Sequence, residues 1–153
     1  MATIAAMLAV NSRHHCSRTA VVSASGSLSW GEVADRSARL ATALRKRGLQ
    51  PGDRLALVSD NCSEILETYY AAALSGVIAA PTSTRAHPDE LARYYGDYLH
   101  PRAALLGPGS EGSAGQWLED CDIVVSLPGG PDGEPFNDFI EELCGARLTY
   151  NYH

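Results

Sequence analysis

Residues 28–81, LSWGEVADRSARLATALRKRGLQPGDRLALVSDNCSEILETYYAAALSGVIAAP, alternate helix and strand signals with the punctuation of each in place. Ser29 and Glu32 stand at capping-box spacing, so the hydroxyl and the carboxylate can each satisfy a free backbone N–H at a helix start. Val33, Ser37, Leu40, Ala41 and Leu44 then recur at helical spacing and give one narrow apolar face. Arg45, Lys46 and Arg47 fall in the last turn, where cations oppose the negative end of the helix dipole, and Gly48 marks the stop. The basic triplet is thereby assigned to helix termination rather than to a binding surface.

Pro51-Gly52-Asp53 turns the chain into Arg54-Leu55-Ala56-Leu57-Val58, a short apolar run suited to a strand buried on both faces. Asp60-Asn61 offers a side-chain cap for a second helix, with Ile65, Leu66, Tyr69, Ala72 and Ala73 on one face and Gly76 at its end. Val77-Ile78-Ala79-Ala80-Pro81 reads as another buried strand. Strands and helices alternating at this length predict right-handed crossovers. The fold class is α/β, a doubly wound, mainly parallel sheet flanked by helices, with a small β-hairpin near the N-terminus.

Beyond Pro81 the pattern continues. Pro88 suits a first helical position, followed by Asp89 and Glu90 and then by Leu91, Tyr94, Tyr95, Tyr98 and Leu99 as an apolar stripe. Pro101 stops that helix, and Ala103 to Leu106 form the next strand. Residues 107–115 are a loop by composition, residues 116–121 a short helical turn, and residues 123–127 a further strand. After a turn at residues 129–133, residues 136–144 form a last helix carrying Phe136, Phe139, Ile140 and Leu143. At the other end, the apolar run from Ala2 to Val10 reads as an amphipathic helix ending near Asn11. A chain of 153 residues buries one core, so residues 1–153 are expected to form a single α/β domain.

The ordered series, apolar-Ser29-Trp30, helix, Gly48-Leu49-Gln50-Pro51-Gly52-Asp53-Arg54, helix, Ser75-Gly76-Val77-Ile78-Ala79-Ala80-Pro81, resembles the opening of the adenylate-forming superfamily of acyl-CoA synthetases, peptide-synthetase adenylation domains and luciferases. Thr19-Ala20-Val21-Val22 before Gly26, and Arg85 with Glu90 after Pro81, extend the resemblance over residues 19–106. It implies the N-terminal subdomain of an ATP-dependent ligase that makes an acyl adenylate and then an acyl thioester. A complete member would use ATP, Mg and a pantetheine thiol.

The family's catalytic parts are a Ser/Thr/Gly-rich phosphate loop ending in lysine, later acidic and aromatic motifs, and a lysine in a small C-terminal domain. The one lysine here is Lys46, already explained as a helix-end cation. Leu148-Thr149-Tyr150-Asn151-Tyr152-His153 is an alternating run resembling the strand that leads into the phosphate loop. The resemblance therefore implies a chain truncated before that loop, with no catalytic, cofactor-binding or metal-binding residue of its own and no cofactor in isolation.

Composition narrows the alternatives. A formal net charge of −6 with a single lysine argues against a nucleic-acid surface, which needs clustered cations. The apolar N-terminal run is far shorter than the roughly 20 residues that span a bilayer. Cys16, Cys62, Cys121 and Cys144 form no paired spacing, so reduced thiols in a cytoplasmic setting are expected. Gly107-Pro108-Gly109-Ser110-Glu111-Gly112 matches the dinucleotide fingerprint after a strand, but Ser113-Ala114-Gly115 is a poor helix start and Glu111 would face the phosphate.

His14-His15-Cys16 and Glu119-Asp120-Asp122 lack the convergent partners that a metal site needs, and no Gly-x-Ser-x-Gly elbow supports a hydrolase. Tyr94, Tyr95 and Tyr98 are expected in core or interface packing rather than on a ligand ring. Three functions remain: the N-terminal part of a ligase, whole or split; a non-catalytic interaction or regulatory partner derived from that fold; and an unrelated nucleotide-binding domain using the Gly107 loop. The first two predict a homo-oligomer or a complementary ligase fragment as partner.

Overall fold

The computed structural model describes residues 3–142. Helix α1 (Ile4–His14) leads into an antiparallel hairpin of β1 (Thr19–Ser23) and β2 (Gly26–Ser29), in which Val21 faces Leu28 and Val22 faces Ser27. Helix α2 (Trp30–Lys46), strand β3 (Arg54–Val58), helix α3 (Ser63–Ser75) and strand β4 (Ile78–Thr82) follow. Next come α4 (Pro88–Leu91), continued by a π-helical segment (Ala92–Leu99), then β5 (Ala103–Leu106), α5 (Gln116–Glu119), β6 (Ile123–Ser126), β7 (Glu134–Pro135) and α6 (Phe136–Glu142). The last five strands form one wholly parallel sheet in the order β4-β3-β5-β6-β7. The doubly wound α/β class and the N-terminal hairpin are as the sequence predicts.

Alternation along the central strands separates two cores. Leu55 and Leu57 of β3, with Ala103 and Leu105 of β5, face Leu40 and Leu44 of α2, Ala71 of α3 and Phe139 and Ile140 of α6. Ala56, Val58, Ala104 and Leu106 face the other way, onto Leu91, Tyr95 and Trp117. A third, smaller cluster joins Leu8 of α1, Val33 of α2 and Tyr70 of α3 beneath the hairpin. Helix α2 starts where the capping box places it. The Ser29 hydroxyl accepts from Glu32 N–H at 3.2 Å, and Ser29 N–H donates to the Glu32 carboxylate at 2.8 Å.

Several expectations need correcting. Asp60 and Asn61 do not cap α3: the capping position is Cys62, with no side-chain hydrogen bond. The buried surface of α3 is broader than the predicted face: Ala72 is buried and Ile65 and Leu66 are half-buried, but Tyr69 and Ala73 are exposed while Glu64, Glu67, Thr68, Tyr70 and Ala71 are buried as well. It is covered by α1 and the hairpin as well as by α2 and the sheet, and a helix covered on several sides loses the one-sided pattern. Strand β4 is a sheet edge rather than a doubly buried strand, with Ile78 51% exposed. Helix α1 runs on to His14, and Leu143 and Cys144 of the last predicted helix lie outside the described residues.

The stripe after Pro88 splits. Leu91 and Tyr95 are buried, whereas Tyr94 and Tyr98 are exposed, because the helix widens to π geometry from Ala92. That widening brings the Tyr95 hydroxyl to the edge strand, where it donates to the Ala80 carbonyl at 2.7 Å and meets the Thr82 hydroxyl at 2.8 Å. The ring lies against Trp117, centroids 4.4 Å apart, and burial pushes the phenol up to about 12.

Two substitutions test these anchors. Ser29→Ala should lower the unfolding free energy in urea by about 1 kcal/mol, and an unchanged midpoint would show that the cap adds nothing to stability. Tyr95→Phe keeps the ring but removes the hydroxyl, and a loss of about 1–2 kcal/mol is expected, with faster amide exchange confined to β4. Uniform exchange across the sheet would contradict a local role.

Candidate functional site

In an open parallel sheet, ligands gather at the carboxyl ends of the strands, above the point where consecutive crossovers leave in opposite directions. Here that point lies between β3 and β5, because the connection through α3 leads to β4 on one side and the next leads back past β3 to β5. The chain itself fills the crevice. Gly107 N–H donates to the Val58 carbonyl at 2.9 Å and Asp60 N–H to the Pro108 carbonyl at 2.7 Å. A side chain at Gly107 would collide with the Ser59 hydroxyl, and one at Gly109 would lie 2.6 Å from the Asp60 carboxylate. Gly109 also holds a left-handed φ of 82°.

This decides the apparent dinucleotide fingerprint. Its glycines approach Ser59 and Asp60 of the same chain, and no long helix follows: residues 110–115 lead only to the four-residue α5. The stretch that composition marks as a loop is fastened, with Ser110 and Ser113 buried.

Next to the closed crevice, on the β4 side, an open cavity of about 360 Å³ runs over the carboxyl ends of β3 and β4. Ser59, Asp60, Tyr69, Thr84 and Arg85 line it, with Ile65 and Leu57 as apolar floor. Asp60 organises the rim, its carboxylate accepting from the Thr84 hydroxyl at 2.6 Å while its own N–H holds the Gly107 loop. Hydroxyls, one carboxylate and the exposed Arg85 guanidinium suit a polar or anionic ligand group. Cys62, behind the cavity wall, sits 3.6 Å from the Ser59 hydroxyl, and burial pushes its thiol up, away from the thiolate that a nucleophile needs.

The other candidates stay apart from this cavity. His14, His15 and Cys16 are exposed around the end of α1. Asp122 is engaged by Arg102 at 2.6 Å, with Asp53 on the same guanidinium at 3.1 Å. Among the described residues no group of three or more His, Cys, Asp or Glu converges on a metal position, and no helix is long and apolar enough to cross a membrane. Lys46 closes α2 at the opposite end of the strands from the cavity, since α2 ends where the chain turns to start β3. The run 148–153 lies outside the described residues. Sequence reasoning assigns no site residue and so misses the grouping of Ser59, Asp60, Thr84 and Arg85. Its only signal is position, just after two parallel strands.

Comparison with known proteins agrees with this geometry. A 62-residue stretch is 40% identical to the 3-methylmercaptopropionyl-CoA ligase of Ruegeria lacuscaerulensis, covering 40% of this chain and 12% of that ligase. A solved structure from Rhodopseudomonas palustris, assigned as a long-chain-fatty-acid CoA ligase, superposes with a TM-score of 0.82 at 30% identity over 90% of this chain and 36% of its own. The chain thus spans a minor part of the relatives it matches. A 40-residue stretch is also 52% identical to part of an NADH-quinone oxidoreductase of Sorangium cellulosum, over 26% of this chain and 10% of that polypeptide. A model of the AMP-binding enzyme family matches residues 8–99, well over half of the chain. With that match and a parallel sheet shared with a CoA ligase, the chain belongs to the AMP-binding enzyme family.

Proposed function

We propose that the chain is the N-terminal part of an ATP-dependent ligase that activates a carboxylic acid and passes it to a thiol. In that reaction a carboxylate oxygen attacks the α-phosphorus of Mg-ATP and pyrophosphate leaves. The thiol sulfur then attacks the acyl carbon and AMP leaves. The CoA ligases among its relatives favour coenzyme A as the thiol. By itself the 153-residue chain is inactive, because phosphoryl transfer needs cations and donors preorganised around the phosphates. One observation carries this reading: the switch-point crevice is closed by Ser59, Asp60 and Gly107, and the single lysine lies at the other end of the strands.

The chain works in the cytoplasm as a folded scaffold, and its partner is a second copy or the complementary part of a ligase. Ile4, Met7 and Val10 on α1 are each more than half exposed, beside an open groove along Ala5, Ala6 and Ala9. Exposed apolar surface of this kind favours association. A non-catalytic partner role derived from the same fold is the second reading, and the same closed crevice supports it.

Three measurements test these readings. The pure chain should show no acid-dependent ATP–pyrophosphate exchange, and robust exchange would overturn the assignment of inactivity. Calorimetric titration with ATP, NAD and FAD should give no saturable heat; tight binding of any of them would return the Gly107 loop to consideration. Sedimentation of the pure chain should reveal a dimer or larger species, and a strictly monomeric boundary at all concentrations would sink self-association.

A further inference from the structure

Glu67, in the middle of α3, has no solvent-accessible side-chain surface. Its Oε2 accepts from Arg36 Nε of α2 at 3.0 Å, while Oε1 has no hydrogen-bond partner among the described residues. Glu64, one turn earlier, is also buried, and its carboxylate accepts from the Ser63 hydroxyl at 3.1 Å. Two carboxylates are therefore buried one turn apart, and Arg36 is hydrogen-bonded to one of them, Glu67. Arg36 itself is 27% exposed and reaches outward to Asn137 of α6 at 3.2 Å, with its guanidinium carbon 5.6 Å from the centre of the Phe136 ring. On the facing helix the Ser37 hydroxyl is likewise buried without a partner.

The charged groups acting on Glu67 are these two, Arg36 from α2 and Glu64 from its own helix. Among the described residues, the other elements packed on α3, which include α1, β1 and β4, bring no further charge to bear on it. Burial pushes the Glu67 carboxyl above the usual carboxylate range, Arg36 opposes that push by its hydrogen bond and charge, and Glu64 adds to it.

We propose that the Arg36–Glu67 pair is a pH-operated joint between α2 and α3, in which acid protonates the Glu67 carboxylate and leaves a neutral carboxyl accepting from the still-cationic Arg36 guanidinium. The proton comes from solvent and adds to Oε1, the oxygen without a donor. Oε2 remains the acceptor for Arg36 Nε. Acid thus removes the buried negative charge and leaves Arg36 with Asn137 and Phe136 as its outer contacts. The folded chain keeps this proton over a window in which the unfolded chain has already released it, so stability is greatest below the unfolded carboxylate range and declines as pH rises through the folded one.

Urea unfolding of the intact chain and of Glu67→Gln, from about pH 8 down to about pH 5, tests the joint. The native midpoint should rise relative to the variant as pH falls. A difference that is flat, or that changes in the other direction, would overturn the proposal. Arg36→Met removes the opposing charge and should move the window upward in pH; a window that stays in place would show that Arg36 does not operate the carboxyl. If either variant fails to fold, carbon NMR titration of the Glu67 carboxyl in the native chain reads proton uptake directly. A midpoint at or below that of an exposed glutamate would refute it.

Discussion

Strand β3 sends Leu55 and Leu57 into one core and Ala56 and Val58 into the other, and none of the four is more than 2% exposed. Everything else is arranged around that double burial. A strand covered on both faces needs helices on both sides, which parallel connections supply and hairpins do not. The α3 crossover covers the Leu55 face, and the α4 and π-helical crossover covers the Val58 face. Because the first crossover leads from β3 to β4 on one side and the second leads from β4 back past β3 to β5 on the other, they also create the crevice at the carboxyl end of β3. The same constraint thus produces the core and the place where a site can be built.

The chain uses that place for itself. A pair such as Ser59 against Gly107 brings two loop backbones together only where one residue lacks a side chain, and Asp60 then ties three loops, at residues 59–61, 82–85 and 107–110. Closing the crevice costs the fold its usual ligand seat and leaves an open cavity one strand away, over β3 and β4. That cavity has hydroxyls, a carboxylate and a guanidinium that can hold a polar ligand.

What is legible in the sequence is local. The capping box of α2 involves Ser29 and Glu32, only three residues apart, and the predicted face of Val33, Ser37, Leu40, Ala41 and Leu44 is buried. The run Arg54–Val58 is readable because burial on both faces leaves few polar residues. Position in the sheet is not readable: Ile78-Ala79-Ala80 looks as apolar as β3, yet β4 is an edge, and pairing order depends on where distant strands settle. The π-helical turn has no signal, since Leu91, Tyr94, Tyr95, Tyr98 and Leu99 fit an ordinary helix equally well. Asp60 reads as a cap because its true partner, Thr84, lies 24 residues away. Glycines that look like a phosphate cradle in sequence differ from packing glycines only by what they face.

The edge strand shows how far this piece can stand by itself. An open edge invites another strand, and β4 is blunted in two ways: Pro81 has no N–H to offer, and the Ala80 carbonyl already accepts from Tyr95. The neighbouring Thr82 hydroxyl is held by the same phenol. By contrast, α1 is apolar nearly all round, yet of its residues only Leu8 is fully buried. Main-chain pairing is therefore discouraged at one side while side-chain packing remains open at the other.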